Sequence, residues 1–338
     1  MRYRFVSAAG VVSILLLAPF GLTAQSQSVA AKAPGAATAK TWTPPRTVDG
    51  QPDLEGTWTN ASNVPLERPV NLGAKEFYTP DEFAANTKKG FQGDRAVTVE
   101  AHYDLSQFGL DPTQNRFAPN LRTSLIVGAE GRIPPLTAEA RQRLAANAAQ
   151  RKGHEFDGAE TRPLGERCIL WPNEGPPMLP SGYNNNMQIF EGPGYVAILQ
   201  EMIHDVRIIP TDGRPHLPPN IRQWRGDSRG HWEGGTLVVD TTNFTEKTAF
   251  RGSSESLHVI ERFTRTGPDA ILYEFTVEDP ATWARSWTAQ LPLGKASGRI
   301  FEYACHEGNY GMANTLSETR ALEAAAKTAT GKSGKARE

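Results

Sequence analysis

The second half of the chain alternates short apolar segments with tight turns, and this pattern limits the possible folds most strongly. Asp-Gly, Gly-Gly and Gly-Pro pairs separate several of the apolar segments between residues 186 and 307, and such pairs are typical of β-hairpins. The spacing predicts strands within 187–192, Tyr195–Met202, His204–Pro210, Gln223–Gly226, His231–Glu233, Thr236–Thr241, Leu257–Thr266, Ala270–Asp279, Trp287–Leu293 and Arg299–His306.

The side-chain pattern inside these segments indicates strands that are buried on one face. In 270–279 the residues at every second position are apolar, and the positions between them are mostly polar. A meander of about nine such strands usually closes or nearly closes, because closure removes unpaired edges. No long helices alternate with the strands, which disfavours a parallel α/β sheet. We therefore predict an all-β fold, an antiparallel meander that closes into a barrel or forms a strongly bent sheet.

The chain before this meander is irregular, and we expect it to wrap around the sheet. Residues 54–60 predict a first short strand, and two short helices are predicted. One begins at Thr79-Pro80-Asp81-Glu82, which has a capping residue and a proline at the first helical position, and the other spans Leu136–Arg151. We divide the chain into a signal peptide (1–24), a flexible leader (25–47), an irregular wrap (48–165), a β meander or barrel (166–320) and a basic disordered tail (321–338).

The N-terminus predicts export to the periplasm or the cell exterior. A basic start, MRYR, precedes an apolar stretch and a small residue, Ala24, as in secretory signal peptides. No later segment has 18 consecutive apolar residues, so we expect no membrane span in the mature protein. Export places Cys168 and Cys305 in an oxidising compartment, where two cysteines usually form a disulfide. Two unpaired structural thiols are the alternative.

Charge and motifs exclude several classes of function. The chain has 36 basic and 37 acidic residues, a formal net charge of −1, which is incompatible with nucleic-acid binding through a basic field. It contains no GxSxG, GxxxxGK[ST], GxGxxG, CxxC or CxxCH motif, which disfavours serine hydrolases, nucleotide and dinucleotide enzymes, thiol oxidoreductases and c-type haem proteins. A small-molecule ligand or substrate is the expected partner, and the oligomeric state is not predicted.

Four stretches of the sequence carry a resemblance to a protein family. They are Cys168 with the Pro-rich sequence after it, Pro193-Gly194-Tyr195-Val196, GHWEGGTLVVDTTNF (230–244), and EYACHEGNYGM (302–312) followed by Asn314. Together they resemble a large group of uncharacterised exported proteins of soil bacteria, over roughly residues 165–320. The resemblance implies a secreted, β-rich protein and carries no activity. Gly56-x-Trp58 near the start of the meander is similar to the signature of lipocalin-type barrels and implies a lipocalin-like barrel.

Five residues are candidates for acid–base catalysis, namely His306, Glu307, His231, Asp240 and Glu261. A carboxylate beside an imidazole raises the pKa of the imidazole and fixes its tautomer. His306 and Glu307 end the last predicted strand, His231 and Asp240 lie on one predicted hairpin, and Glu261 is an acid in an apolar strand. The alternatives are a hydrogen-bonded turn beside the disulfide, polar pairing on a solvated face, and an outward-facing glutamate.

Six residues are candidates for binding a substrate, because amides and hydroxyls suit polar groups of a ligand and aromatic rings supply walls. They are Tyr183, Asn185, Trp232, Tyr273, Asn309 and Tyr310. A plain turn is the alternative for the Tyr-Asn-Asn-Asn stretch at 183–186.

A charged pair lies at the start of the strand predicted within His204–Pro210. Asp205 and Arg207 are two residues apart, so they share one face of that strand. We predict an exposed ion pair between them, a kind of contact that stabilises a fold by less than about 1 kcal/mol.

These observations favour an exported protein that takes up a small, partly apolar organic molecule or sugar in the interior or mouth of the barrel. An acid–base enzyme (a lyase, isomerase or hydrolase) is the leading interpretation, since polar residues crowd the strand ends. A non-catalytic binding protein or scavenger is the alternative. No cofactor is predicted. The seven histidines leave a metal site gathered from several strands as a second alternative, although none forms a metal-ligand motif.

Overall fold

The computed structural model describes residues 42–85, 120–248, 250–296 and 298–335. The predicted signal peptide, most of the predicted leader and His102 lie outside these residues. The described chain contains nine strands, two helices of more than ten residues and a few short helical turns. None of the helices in the described ranges combines the length and the apolar character needed to cross a membrane.

Nine antiparallel strands form one sheet, nearly closed into a barrel, which confirms the predicted fold class. They are β1 (Gly56–Thr59), β2 (Asn186–Gly192), β3 (Tyr195–Gln200), β4 (Val206–Pro210), β5 (Asp227–Glu233), β6 (Thr236–Thr242), β7 (His258–Gly267), β8 (Ala270–Glu278) and β9 (Trp287–Lys295). Their order in the sheet is β4-β3-β2-β1-β9-β8-β7-β6-β5, so β1 lies between β2 and the last strand.

The number of strands fixes the relative direction of the two edges of the sheet. Every pairing in the sheet is antiparallel. With nine strands, the two edge strands β4 and β5 must therefore run in the same direction. Parallel neighbours need a long crossover between them, and residues 211–226 return the chain from the end of β4 to the start of β5. No ladder joins these two edges in the described part of the chain.

The two edge strands nevertheless pack against each other. A Cβ atom on Gly230 of β5 would lie 3.0 Å from Cγ2 of Ile209 and 2.9 Å from Cγ2 of Thr211. Both distances are tighter than ordinary van der Waals contact, so a side chain at residue 230 would push β5 away from β4. This close approach requires glycine.

Side chains fill the interior of the barrel. Buried residues occupy every second position along most of β7, β8 and β9, as the sequence alternation predicts. Four aromatic rings follow one another through the core with centroids 4.9–5.9 Å apart, and they belong to Phe263, Tyr273, Phe275 and Trp287. A filled interior leaves the ends of the barrel as the places where a ligand can enter.

One polar network crosses this apolar interior. Arg207 on β4 donates two hydrogen bonds to the Glu261 carboxylate on β7, at 2.7 and 3.1 Å. The Tyr273 hydroxyl donates to the same carboxylate at 2.7 Å and accepts from the backbone N–H of Met178 at 2.9 Å. Glu261 is fully buried and Arg207 is 8% exposed. A buried pair of this kind is stable because both charges are matched and hydrogen-bonded.

The predicted exposed pair between Asp205 and Arg207 is wrong. The Arg207 side chain points into the barrel to Glu261, and Asp205 lies 3.2 Å from the guanidinium of Arg225. Asp205 precedes the first residue of β4, where the alternation of faces has not yet begun.

Two predicted strands are also wrong. Gln223 forms only a single parallel bridge, with Phe244, and residues 299–306 form no strand. The pairing of β9 explains why residues 299–306 form no strand. β9 already has β1 on one side and β8 on the other, so the chain that follows β9 finds no free edge beside it. It turns away to the disulfide at Cys305.

Helical segments come before β2 and after β9 along the chain. Thr79 and Glu82 form the predicted capping box at the start of a helical stretch. Helix α1 (Ala138–Arg151) confirms the second predicted helix, and the Thr137 side chain caps it. Helix α2 (Tyr310–Lys335) replaces the end of the predicted meander and most of the predicted disordered tail. Its Ala-rich sequence favours a helix.

The predicted disulfide is present between Cys168 and Cys305, with Cα atoms 5.6 Å apart and a sequence separation of 137. It joins the turn-rich segment before β2 to the segment that leads into α2. Asn309 and Arg320 add hydrogen bonds from the α2 region to the backbone oxygens of Glu166 and Phe156, at 2.8 and 2.6 Å. These contacts hold the first part of α2 against 156–168.

Substitution of Glu261 tests the interior network. We expect Glu261→Gln to lower the free energy of unfolding by about 3–5 kcal/mol, because the Arg207 charge would remain buried without a counter-ion. Urea unfolding followed by tryptophan fluorescence measures this loss. Replacing both partners, Arg207→Met with Glu261→Leu, should recover much of it. A loss below about 1 kcal/mol for the single variant would contradict a central role for the pair.

Candidate active site at one end of the barrel

A cleft of about 270 Å³ opens at the end of the barrel where β2 turns into β3, which we call the upper end. The β2–β3 hairpin forms one side, and Thr211 at the start of the crossover and Trp232 of β5 form the other. The chain before β1, including Asp49 and Gln51, also lines it. The cleft therefore gathers residues from the first described segment, from the hairpin, from the crossover and from edge strand β5.

Glu191 is the more buried of the two acidic residues that line this cleft. Met187, Ile189 and Glu191 share the interior face of β2, and Glu191 comes last, where the interior meets the mouth. One carboxylate oxygen accepts a hydrogen bond from the backbone N–H of Leu54 at 3.0 Å. The other, Oε2, is buried and has no hydrogen-bond partner within the described residues.

Burial raises the pKa of Glu191 to about 7. The hydrogen bond from Leu54 opposes this shift, the nearby carboxylates of Asp53 and Glu55 add to it, and the Arg265 charge lowers it slightly. Both protonation states of the carboxyl are therefore present near neutral pH. A group of this kind can accept a proton and return it, as general acid–base catalysis requires.

Two aromatic side chains line the cleft together with Glu191. Trp232 is partly buried and packs against the core, and Tyr195 is 44% exposed. A Cβ atom at Gly192 would lie 2.6 Å from the Tyr195 ring, so glycine is required for the ring to lie over the hairpin. Trp232, predicted as a binding residue, lines this cleft.

A cluster of titratable side chains lies around Asp240 on the outer face of the sheet. His216 of the crossover bridges Asp227 and Asp240, with both ring nitrogens 2.9 Å from carboxylate oxygens. His258 of β7 bridges Asp240 and Glu278, at 2.7 and 3.1 Å. An imidazole can donate from both nitrogens only when it is protonated. Two imidazole rings thus alternate with three carboxyl groups, and we call these five residues the histidine clasp.

The electrostatics of the clasp agree with this geometry. The hydrogen bond to Asp240 raises the pKa of His258, burial opposes the rise, and the Asp240 and Glu278 charges add to it. Burial alone would raise the pKa of Asp240, but the hydrogen bonds and charges of His258 and His216 outweigh it and lower that pKa.

The clasp fastens the crossover to the outer face of β5 and β6. The backbone N–H of Leu217 donates to Asp227 at 2.9 Å, and the Arg229 side chain donates to the backbone oxygen of Pro215 at 2.9 Å. The amide of Asn243 donates to the backbone oxygen of Leu217 at 2.9 Å. These contacts give the histidine clasp a structural role at the junction between the two edge strands.

The structure does not bring the five predicted catalytic residues together. Asp240 contacts His216 and His258 instead of His231, which lies 3.1 Å from Glu233 on the outer face. The register explains this, because Asp240 lies opposite Arg229 and His231 lies opposite Val238.

The other three candidates do not meet Asp240 either. His306 and Glu307 are exposed in the turn after the disulfide. Glu261 lies in the interior network with Arg207 and Tyr273. Only Asp240, among the five, is hydrogen-bonded to histidine in the described structure.

The predicted binding residues also fall in separate places. Tyr273 is fully buried, and Asn185 hydrogen-bonds both backbone polar groups of Ser181. Tyr183 lies near Trp171, with ring centroids 6.5 Å apart. Asn309 contacts the backbone of Glu166, and Tyr310 is exposed at the start of α2. Among the six, Trp232 alone lines a described cleft.

Sequence reasoning missed Glu191, although a signal for it exists. An acid at the third of three alternate positions, after Met187 and Ile189 and just before a Gly-Pro-Gly turn, belongs to the buried face at a strand end.

The described ranges contain no group of three or more His, Cys, Asp or Glu residues that could hold a metal ion.

The clasp predicts a pH dependence of stability. His258 has a folded pKa above its unfolded value of about 6.5, so its contribution is complete below that value and is lost as the pH rises through the folded pKa. We expect His258→Gln to lower the free energy of unfolding by about 1–2 kcal/mol near pH 5 and by less near pH 9. Thermal and urea unfolding across this range measure the difference.

His231→Gln is the matched control for this measurement. His231 pairs with Glu233 on an exposed face, where an ion pair contributes little, so this variant should follow the wild type at every pH. A difference between wild type and His258→Gln that stays constant or grows with pH would contradict a protonated His258.

Comparison with known proteins offers no relative from which a function could be transferred. The chain matches no protein-family model, no curated protein and no solved structure. The resemblance to exported soil-bacterial proteins stays a prediction. A function for the barrel has to be inferred from the geometry of its clefts.

Proposed function

We propose that the protein is an acid–base enzyme whose active site is the upper cleft and whose proton-transferring group is Glu191. The observation that carries this proposal is Glu191 itself, which lines the upper cleft and whose buried Oε2 atom has no hydrogen-bond partner among the described residues. Burying a carboxylate oxygen without a hydrogen bond destabilises a fold. A bound substrate with a transferable proton would supply the missing partner.

The surroundings of Glu191 favour catalysis over simple binding. A binding protein needs walls and fixed polar groups, and a neutral amide would serve it as well as an acid. A carboxyl whose pKa is about 7 is suited to taking up and releasing protons at neutral pH. The alternative, a non-catalytic binding protein or scavenger, uses the same aromatic walls and is separated by the experiment below.

The cleft also indicates the class of substrate. Its volume of about 270 Å³ is just below the usual range for ligand pockets, which suits a small molecule of one or two rings. Trp232 and Tyr195 provide apolar surface, while Gln51 and Thr211 offer hydrogen bonds. None of the described residues that line it is basic, and Asp49 adds a second carboxylate. A neutral, partly apolar organic molecule or sugar therefore fits better than an anion.

The Kemp elimination of 5-nitrobenzisoxazole tests Glu191 without knowledge of the natural substrate. A carboxylate removes the proton from C3, the N–O bond breaks and a coloured cyanonitrophenolate forms. We expect a rate that rises with pH, with an inflection near the Glu191 pKa of about 7. Glu191→Gln should reduce the rate by about 100-fold or more, the usual size of a general-base contribution.

Two further variants complete this test. Glu302→Gln changes an exposed glutamate and should keep the full rate. Trp232→Ala should raise KM more than it lowers kcat, since Trp232 contributes wall surface. A Glu191→Gln rate equal to wild type would contradict the catalytic proposal. If that variant still bound the probe, the binding-protein alternative would be favoured.

We also propose that the protein is exported. The disulfide between Cys168 and Cys305 is compatible with an oxidising compartment. Expression of the full chain in a Gram-negative host, followed by intact mass measurement of the periplasmic fraction, tests this. We expect loss of residues 1–24 and a mass two hydrogens below that of the reduced chain. Retention of the N-terminus on cytoplasmic protein would contradict export.

A further inference from the structure

A second cleft, of about 370 Å³, lies at the opposite end of the barrel, where β1 ends and β2 begins. Residues 62–66 after β1 form one wall, and Leu179 and Ser181 before β2 form another. Arg251, from the connection between β6 and β7, also lines the cleft. We call this the lower cleft. Nothing in the proposed function uses it.

The fold holds Arg251 in a fixed position beside this cleft. Its neighbour Phe250 is buried and stacks on Trp287, with ring centroids 6.4 Å apart and planes at 21°. On the other side, the backbone oxygen of Gly252 accepts a hydrogen bond from Arg143 at 3.0 Å, and Ser254 donates from its backbone N–H and its hydroxyl to Asp279. The connection is therefore anchored on both sides of Arg251.

The backbone at Arg251 is left-handed, with φ of 50° and ψ of 34°. This conformation destabilises a non-glycine residue by roughly 1 kcal/mol or more. Glycine would adopt it without that cost. The sequence has an arginine at this position instead, which is consistent with a use for its side chain.

The charge of Arg251 is not matched within the described structure. No described carboxylate forms an ion pair with its guanidinium, which lies 5.9 Å from the centroid of the Phe250 ring. Burial lowers the pKa of Arg251 although the residue keeps exposed surface, and Glu67 opposes this shift from a distance. Glu67 itself lies 3.6 Å from Arg132.

The remaining lining of the lower cleft is both apolar and neutral polar. Val64, Leu66, Leu125 and Leu179 supply hydrocarbon surface, and the lining also includes two serines and two asparagines, Ser62, Ser181, Asn63 and Asn173. No acidic residue belongs to the described lining. A single guanidinium beside apolar walls suits a ligand with one anionic end and an apolar body, because arginine can bind both oxygens of a carboxylate at once.

We propose that the lower cleft binds a small monocarboxylate with an apolar body, with Arg251 as the residue that recognises the carboxylate. The ligand carboxylate pairs with the guanidinium, and its apolar part lies against the leucine and valine side chains. This site is independent of Glu191. The acidic upper cleft would repel the same ligand, so the two ends of the barrel take different classes of molecule.

Benzoate, titrated into the full-length protein and followed by ¹H–¹⁵N NMR, is the probe for this site. We expect saturable shifts centred on 62–66, 179–181 and Arg251, and none centred on Glu191 or Trp232. Arg251→Gln should raise the dissociation constant of benzoate about tenfold or more, as the loss of a charge-assisted pair predicts. Arg299→Gln, which removes an exposed arginine elsewhere, should leave it unchanged.

Two more ligands test the chemistry of recognition. Benzamide has the size of benzoate without its charge and should bind at least about tenfold more weakly. Inorganic phosphate carries charge without an apolar body and should also bind more weakly than benzoate. Equal binding of benzamide and benzoate, equal binding by wild type and Arg251→Gln, or shifts centred on the upper cleft would each overturn the proposal.

Thermal unfolding distinguishes a loss of benzoate binding from a loss of folding. Arg251 makes no ion pair in the described structure, so Arg251→Gln should unfold at the same temperature as the wild type without ligand. Benzoate should stabilise the wild type and not the variant. Loss of the Glu191-dependent Kemp rate in a Glu191→Gln variant that still binds benzoate would show that the two sites are separate.

Discussion

The buried pair between Arg207 and Glu261 is the interaction on which the barrel depends. Nine antiparallel strands leave two edges that run in the same direction, so the backbone pattern of the sheet cannot continue across the gap. Arg207 reaches from edge strand β4 across the interior to β7 and fastens that edge by charge and hydrogen bonding. The same network helps to fill the interior, and this confines clefts to the two ends.

The two ends of the barrel differ in charge because different connections reach them. At the upper end, strand β2 finishes with an inward-facing acid, and the chain before β1 adds a second acid, Asp49. At the lower end, the connection between β6 and β7 presents an arginine. The crossover contacts both the upper cleft and the outer face of the sheet. Its first residue, Thr211, lines the upper cleft, and His216 is held by the histidine clasp.

Local patterns were sufficient to predict most strands but not the contacts between distant ones. The alternation in β7 and β8, the capping box at Thr79 and the disulfide follow from the sequence. The partner of Arg207 does not, since Glu261 is 54 residues away and only the curvature of the sheet brings the two together. Asp240 was identified as a partner of histidine, but which histidines it meets depends on the register and on a crossover without periodicity.

The disulfide gives the barrel an unusual covalent connectivity. The chain from Cys168 to Cys305 contains β2 through β9 and is closed into a ring by the disulfide. Strand β1 lies outside this ring in sequence, yet it sits in the sheet between β2 and β9. A chain cut just after β1 would therefore give two pieces with no covalent bond between them, joined by the pairing of β1 with β2 and β9 and by hydrogen bonds such as that from the Leu54 N–H to Glu191. The ring formed by the disulfide therefore encloses eight of the nine strands, and β1 holds its central place in the sheet by non-covalent contacts and by its single link to Cys168 along the chain.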